Sequence, residues 1–287
     1  MTKLGQIGGF GGALAALLVT LPVQALQIKV LPQSPALGDT VQVEVTDSTA
    51  PTVSLNGRNY PAFVIGPNRW RALLPTSPLD RPGALRIQAS NGSETQQTVV
   101  NLRARQFPTQ RIWLSSSSDG PGLSQIERDR VAQFKATVSP ERFWSGLFQR
   151  PSQGEISTVY GVQRYYNGQF AQDYYHRGVD YAAATGTPVV APAAGRVVLV
   201  GRESQGFRIH GNCVGLDHGQ GVLSIFMHLS RVNVQEGQMV QPGQTIGAVG
   251  STGASTGPHL HWGLYVNGVA VDPVPWRYGY DNGGPIQ

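Results

Sequence analysis

The chain has 287 residues, 40% of them hydrophobic and only 14% charged, with 36 glycines and 20 prolines. That length carries one large or two ordinary domains, and the Gly/Pro content favours short strands and turns over long helices. The formal charge is +5, carried mostly by arginine, yet no Lys/Arg run and no interleaving of basic and aromatic residues occurs, so no nucleic-acid partner is expected.

The first 27 residues read MTKLGQIGGFGGALAALLVTLPVQALQ, with one early cation at Lys3, an uncharged apolar stretch, then Pro22 and small or short residues at Val23 and Ala25. This is the pattern of a secretory signal over 1–25, cleaved after Ala25 so that the mature chain starts at Leu26. No other stretch is long and apolar enough to span a bilayer, so no stable membrane span is expected after cleavage. The expected location is the periplasm, the cell envelope or outside the cell. The single cysteine, Cys213, allows no internal disulfide and no lipid attachment near the signal.

Residues 26–102 alternate polar and apolar positions in short runs such as DTVQVEVTD and GALRIQASNG, with turn clusters roughly every ten residues. They predict an Ig-like β-sandwich of about seven strands. This stretch holds no histidine and no cysteine, so no metal or catalytic role is expected of it. Residues 103–144 predict a linker, flexible at SSSSDGPG, with one helical connector in LSQIERDRVAQFKATV that packs between domains.

From 145 to 287 strands return, beginning with a hairpin in GEISTVYGVQRYYNGQ. GTPVVAPAAGRVVLVG and GQMVQPGQTIGAVGSTG share a cadence of valines and Pro-Gly turns that suits a flattened antiparallel β-sandwich. Lipoyl and biotinyl carriers share the cadence but need an acceptor lysine, and none follows Lys135. The whole chain is therefore predicted to be all-β, with one short helix.

The six histidines are unevenly placed. His176 precedes Asp180 by four residues, and His259 and His261 flank Leu260 in a strand-like run, where residues two apart share a face about 7 Å apart. His176, Asp180 and one histidine of the HLH pair would give zinc three ligands and leave a fourth position for water, the arrangement of a catalytic site. His218 in LDHGQG is expected to shape a hairpin turn, and His210 in FRIHGN to be a solvated loop residue.

The order of HRGVDYAAATGTPVVAPAAGRVV, GNCVGLDHGQGVLSIFMHLSR, GQTIGAVGSTG and GPHLHWGLYVNG resembles the lysostaphin-type (M23, LytM-like) zinc metallopeptidases over roughly residues 145–275. The resemblance implies one Zn²⁺ held by His176, Asp180 and His261, and two catalytic histidines, His228 and His259. It also implies a peptidoglycan substrate, cut in its peptide stems or cross-bridges during wall remodelling. A tyrosine that stabilises the oxyanion in some relatives has no clean match among Phe170, Tyr174 and Tyr175, and Arg164 is either a substrate contact or a structural residue. Two other readings stand beside the peptidase: a catalytically silent envelope protein that binds or activates a cell-wall amidase, and a wall-binding scaffold.

Overall fold

The computed structural model describes residues 1, 25–113 and 122–278. The stretch expected to be an export signal and the Ser-rich segment lie almost wholly outside the described residues. Among those residues no helix is long and apolar enough to cross a membrane.

The first eight strands are β1 (Gln27–Leu31), β2 (Thr40–Thr46), β3 (Thr52–Leu55), β4 (Arg58–Tyr60), β5 (Ala62–Gly66), β6 (Arg69–Pro75), β7 (Gly83–Ser90) and β8 (Thr95–Leu102). They form two four-stranded sheets, ordered β1-β2-β6-β5 and β4-β3-β7-β8. That is the immunoglobulin-type order, with one strand more than the seven expected from sequence. Strict alternation drives it: Val41, Val43 and Val45 are fully buried while Gln42 and Glu44 face outward. The extra strand comes from Asn56–Gly57, both at positive φ (48° and 84°), which close a two-residue turn between β3 and β4.

The rest comprises β9 (Thr109–Ile112), α1 (Gln125–Lys135), β10 (Glu155–Thr158), β11 (Gln163–Tyr166), β12 (Gln169–Phe170), β13 (Val179–Ala182), β14 (Pro188–Val190) and β15 (Gly195–Gly201). A 3-10 turn at Glu203–Gln205 follows, then β16 (Asn212–Gly219), β17 (Val222–Leu229), β18 (Arg231–Val232), β19 (Met239–Val240), β20 (Thr245–Ala248), β21 (His259–Val266), β22 (Val269–Val271) and α2 (Val274–Tyr278). The main sheet runs β10-β13-β21-β17-β16-β15-β19, with β22 on β21. Two three-stranded sheets, β14-β20-β18 and β12-β11-β9, accompany it. The hairpin expected from GEISTVYGVQRYYNGQ divides: β10 joins the main sheet, whereas β11 turns at Asn167–Gly168 onto β12.

Helix α1 starts at an N-cap, Ser124, whose hydroxyl accepts from the Glu127 N–H at 3.1 Å. It buries Val131 and Phe134 in the core of the main sheet, with the Phe134 ring edge-on to Tyr265. The expected connector is thus a covering layer on β15 and its neighbours. The Ig-like sandwich docks on the same body. Asn267 donates to the Leu73 carbonyl (2.8 Å), Trp276 to Thr40 Oγ1 (3.2 Å), Arg71 bonds Gln220, and Arg105 pairs with Asp272 at 2.7 Å.

Candidate metal centre and the histidines around it

Three strands of the main sheet build the site. Antiparallel pairing sets Asp180 of β13 opposite His261 of β21, and Ala182 opposite His259. On the other side of β21, Met227 of β17 lies opposite His261. The two-residue period of β21 then presents His259 and His261 on one face, beside Asp180. His176 arrives from the segment before β13, tied by its N–H to the Val162 carbonyl at 2.8 Å.

His228 needs a further device. Because Met227 pairs with His261, plain alternation would send the next side chain to the opposite face. Instead the β16–β17 register slips between Asn212 and Val214, and His228 itself adopts φ 63°. This bulge, at a left-handed angle uncommon for a non-glycine residue, swings the imidazole back so that its centroid lies 4.7 Å from that of His259.

His176 Nε2 lies 3.1 Å from Asp180 Oδ1 and 3.1 Å from His261 Nδ1, and the latter two atoms are 2.9 Å apart. All three residues are buried. The His176 Nδ1–H donates to the Val159 carbonyl at 2.9 Å, which leaves Nε2 with its lone pair. Three electron-pair donors so converge on one buried point, at separations close to the roughly 3.3 Å edge of a tetrahedron with metal–ligand bonds of about 2.0–2.1 Å. Such crowding of acceptors fits a cation. Gly178 makes room for the His261 ring: a Cβ there would lie 2.8 Å from both its Cε1 and Nε2 and 2.4 Å from the Trp262 carbonyl oxygen.

His228 and His259 flank the cluster and are oriented alike. His228 Nδ1–H donates to the Thr252 carbonyl (2.9 Å) and His259 Nδ1–H to the Gly257 carbonyl (2.8 Å). Both rings therefore keep Nε2 free, and that of His259 sits 3.9 Å from Asp180 Oδ1. Burial opposes ionisation of Asp180, yet the imidazoles of His176 and His261 packed against it outweigh that effect and hold the carboxyl well below the usual carboxylate range. Burial, reinforced by the neighbouring His261, pushes His228 down to about 3.

The remaining histidines depart from expectation. His218 is not a turn residue but a fully buried core group of β16, with Nδ1 bonded to the Ala194 carbonyl (2.8 Å) and Nε2 to Ser224 Oγ (2.9 Å). His210 is not solvated: its Nδ1 meets Glu127 Oε1 at 2.7 Å. The same carboxylate, fully buried at the start of α1, accepts the backbone N–H groups of Arg208, Ile209 and His210. Tyr175 donates to the Ala270 carbonyl at 3.2 Å inside the core, Phe170 is exposed, and Tyr174 is half-buried beneath Arg164. The backbone carbonyls of Val159, Thr252 and Gly257, which orient three imidazoles, were missed from sequence. Any residue type supplies a carbonyl, so no pattern could have announced them.

An all-β body with a buried His-Asp-His cluster and two adjoining histidines marks a candidate metal-site protein. Residues 174–273 match the profile of Peptidase family M23. An uncharacterized metalloprotease of Haemophilus influenzae is 46% identical over 191 residues, 67% of this chain and 33% of that protein. The peptidoglycan DD-endopeptidase ShyC of Vibrio cholerae is 42% identical over 98 residues, 34% of this chain and 22% of that one. A Pseudomonas aeruginosa crystal structure described under peptidase M23 superposes with a TM-score of 0.62 at 27% identity, covering 88% of this chain and 96% of that chain. Residues 174–273 thus carry a peptidase family M23 domain. It spans about a third of the length of the Haemophilus relative.

Proposed function

We propose that the protein is an exported zinc metalloendopeptidase that hydrolyses peptide bonds in the stems or cross-bridges of peptidoglycan, in the periplasm or cell envelope. The observation that carries this reading is the division among the histidines. His176 and His261 converge with Asp180 on one point, while His228 and His259 stand beside that point with their Nδ1–H groups already committed to backbone carbonyls. The substrate class is supported by the name of the Vibrio relative.

A zinc ion held by His176, Asp180 and His261 would polarise the scissile carbonyl and lower the pKa of a water to about 7. The chain's own residues do the rest. His176 and His261 offer neutral imidazole nitrogens, and ionised Asp180 offsets part of the cation's charge. His228 and His259, with free Nε2 atoms facing the cluster, take and return the protons that amide hydrolysis moves, and donate to the oxyanion that develops on the carbonyl. Residues 26–102 form a separate module that spaces or positions the enzyme on the wall.

Zinc stoichiometry of the purified chain, combined with mass analysis of fragments released from isolated walls, tests the reading. One zinc per chain and release of cut stem peptides are expected. Bound zinc without any hydrolysis would turn the assignment toward the silent amidase regulator.

A further inference from the structure

Arg164 is a guanidinium that is held in place but has no acidic partner among the described residues. In β11 its Nε donates to Gln110 Oε1 of β9 at 3.1 Å, Nη1 approaches the Tyr166 hydroxyl at 3.4 Å, and the group lies 5.0 Å above the Tyr174 ring. Arg177 covers the same ring at 5.7 Å. None of the ion pairs among the described residues includes Arg164. Its Nη2 is used by no described residue and is not among the buried unpartnered atoms.

The surroundings are equally one-sided. Residues 103–113 and 159–172, which supply β9, β11 and β12, contain four arginines and no acid. Among the described residues only Arg105 of these finds a carboxylate, Asp272. This surface adjoins the metal cluster. The Val162 carbonyl, two residues before Arg164, accepts the His176 N–H, a spacing of about 7 Å along a strand. Tyr174, which carries the guanidinium on its face, is two residues before His176.

A guanidinium fixed by Gln110, the Tyr166 hydroxyl and one aromatic face keeps outer N–H donors for a planar anion, and the ordering cost has already been met by the fold. We infer that Arg164 is a specificity-determining residue that binds a carboxylate of the acidic peptide substrate beside the metal cluster. The inference rests on the wall-peptidase reading, since peptidoglycan stems carry free carboxylates. The parallel β9–β11 pairing then acquires a purpose: it brings Gln110 from the segment before α1 to hold the Arg164 fork at its working angle.

The test compares the zinc-loaded full chain with Arg164→Gln and Arg164→Lys on two substrates. One is purified peptidoglycan with its native stem carboxylates; the other is the same material with those groups converted to amides. Arg164→Gln should raise KM about 10- to 100-fold on native wall, the scale of a charge-assisted hydrogen-bond pair, with kcat, zinc content and Tm unchanged. Arg164→Lys should recover part of the loss. Amidation should raise the wild-type KM by a similar factor and leave Arg164→Gln almost untouched. Equal responses of wild type and Arg164→Gln to amidation would overturn the inference while leaving the peptidase reading intact. Should the zinc-loaded wild type release no wall fragments, the peptidase reading fails, and calorimetric binding of a soluble stem tetrapeptide decides this site. Binding that Arg164→Gln abolishes supports the carboxylate anchor; no binding by wild type overturns it.

Discussion

At the scale of single residues, the site separates groups that hold a cation from groups that move protons. Asp180→Ala and His261→Ala each remove one of three converging donors, so metal content by emission spectrometry and wall hydrolysis should fall together. His259→Ala leaves those donors in place; it should keep zinc and the fold while hydrolysis drops roughly 10²- to 10⁴-fold. Zinc loss in that variant would instead make His259 a fourth ligand. Gly178→Ala should behave like a ligand mutation, because its methyl would meet the His261 ring at 2.8 Å and the Trp262 carbonyl at 2.4 Å. His218 acts on stability instead. Burial pushes it down to about 4, so it stays neutral in the folded chain while the unfolded chain takes a proton below about 6.5. Stability is therefore full at neutral pH and declines as pH falls from about 6.5 toward 4, by about 2 kcal/mol at pH 5. Urea unfolding at pH 7 and pH 5 measures this, and His218→Asn should shrink the difference by about that amount, leaving the part that His228 contributes.

At the scale of elements, α1 is tied to the site through one carboxylate. Glu127 gathers the N–H groups of residues 208–210, and the His210 carbonyl in turn accepts the His228 N–H at 3.0 Å. Glu127→Ala should therefore lower stability by about 2–3 kcal/mol, as expected for hydrogen bonds to a charged group. It should also reduce turnover through a displaced His228 while zinc content stays at one per chain. Melting curves, metal analysis and kcat on one preparation separate these effects; unchanged kcat would show that the bulge at His228 holds itself. The Ser-x-x-Glu spacing at 124–127 suits a helix start that closes on itself. The structure spends the glutamate elsewhere, and the Ser124 hydroxyl caps alone.

At the scale of the whole molecule, the Ig-like sandwich and the body that carries the metal cluster share a polar seam. Arg71 is buried, bonded to Gln220, and stacked 5.0 Å from the Trp144 ring. Such a seam predicts one cooperative melting transition for both parts in calorimetry. Arg71→Ala should cost about 1–3 kcal/mol, since it strands a buried Gln220 acceptor, and should begin to split that transition. Two well-resolved transitions in the unmodified chain would mean that the seam contributes little.

Alternation in β2 and β7, the turn clusters between strands and the four-residue spacing of His176 and Asp180 were legible in the sequence, because each is local: a period of two, a run of turn residues, or a motif within one stretch. The all-β architecture follows from such local signals, whereas the choice of His261 from the HLH pair as third ligand came from the family resemblance. Tertiary structure alone decided what depends on segments far apart in the chain. The strand order that sets Asp180 against His261, the bulge that returns His228 to the site, the burial of His218 and the capture of His210 by Glu127 all belong here. So does the pairing of Gln110 with Arg164. In each case the partner is more than fifty residues away, a backbone carbonyl, or a register slip, and none of these leaves a mark on the residues it orients.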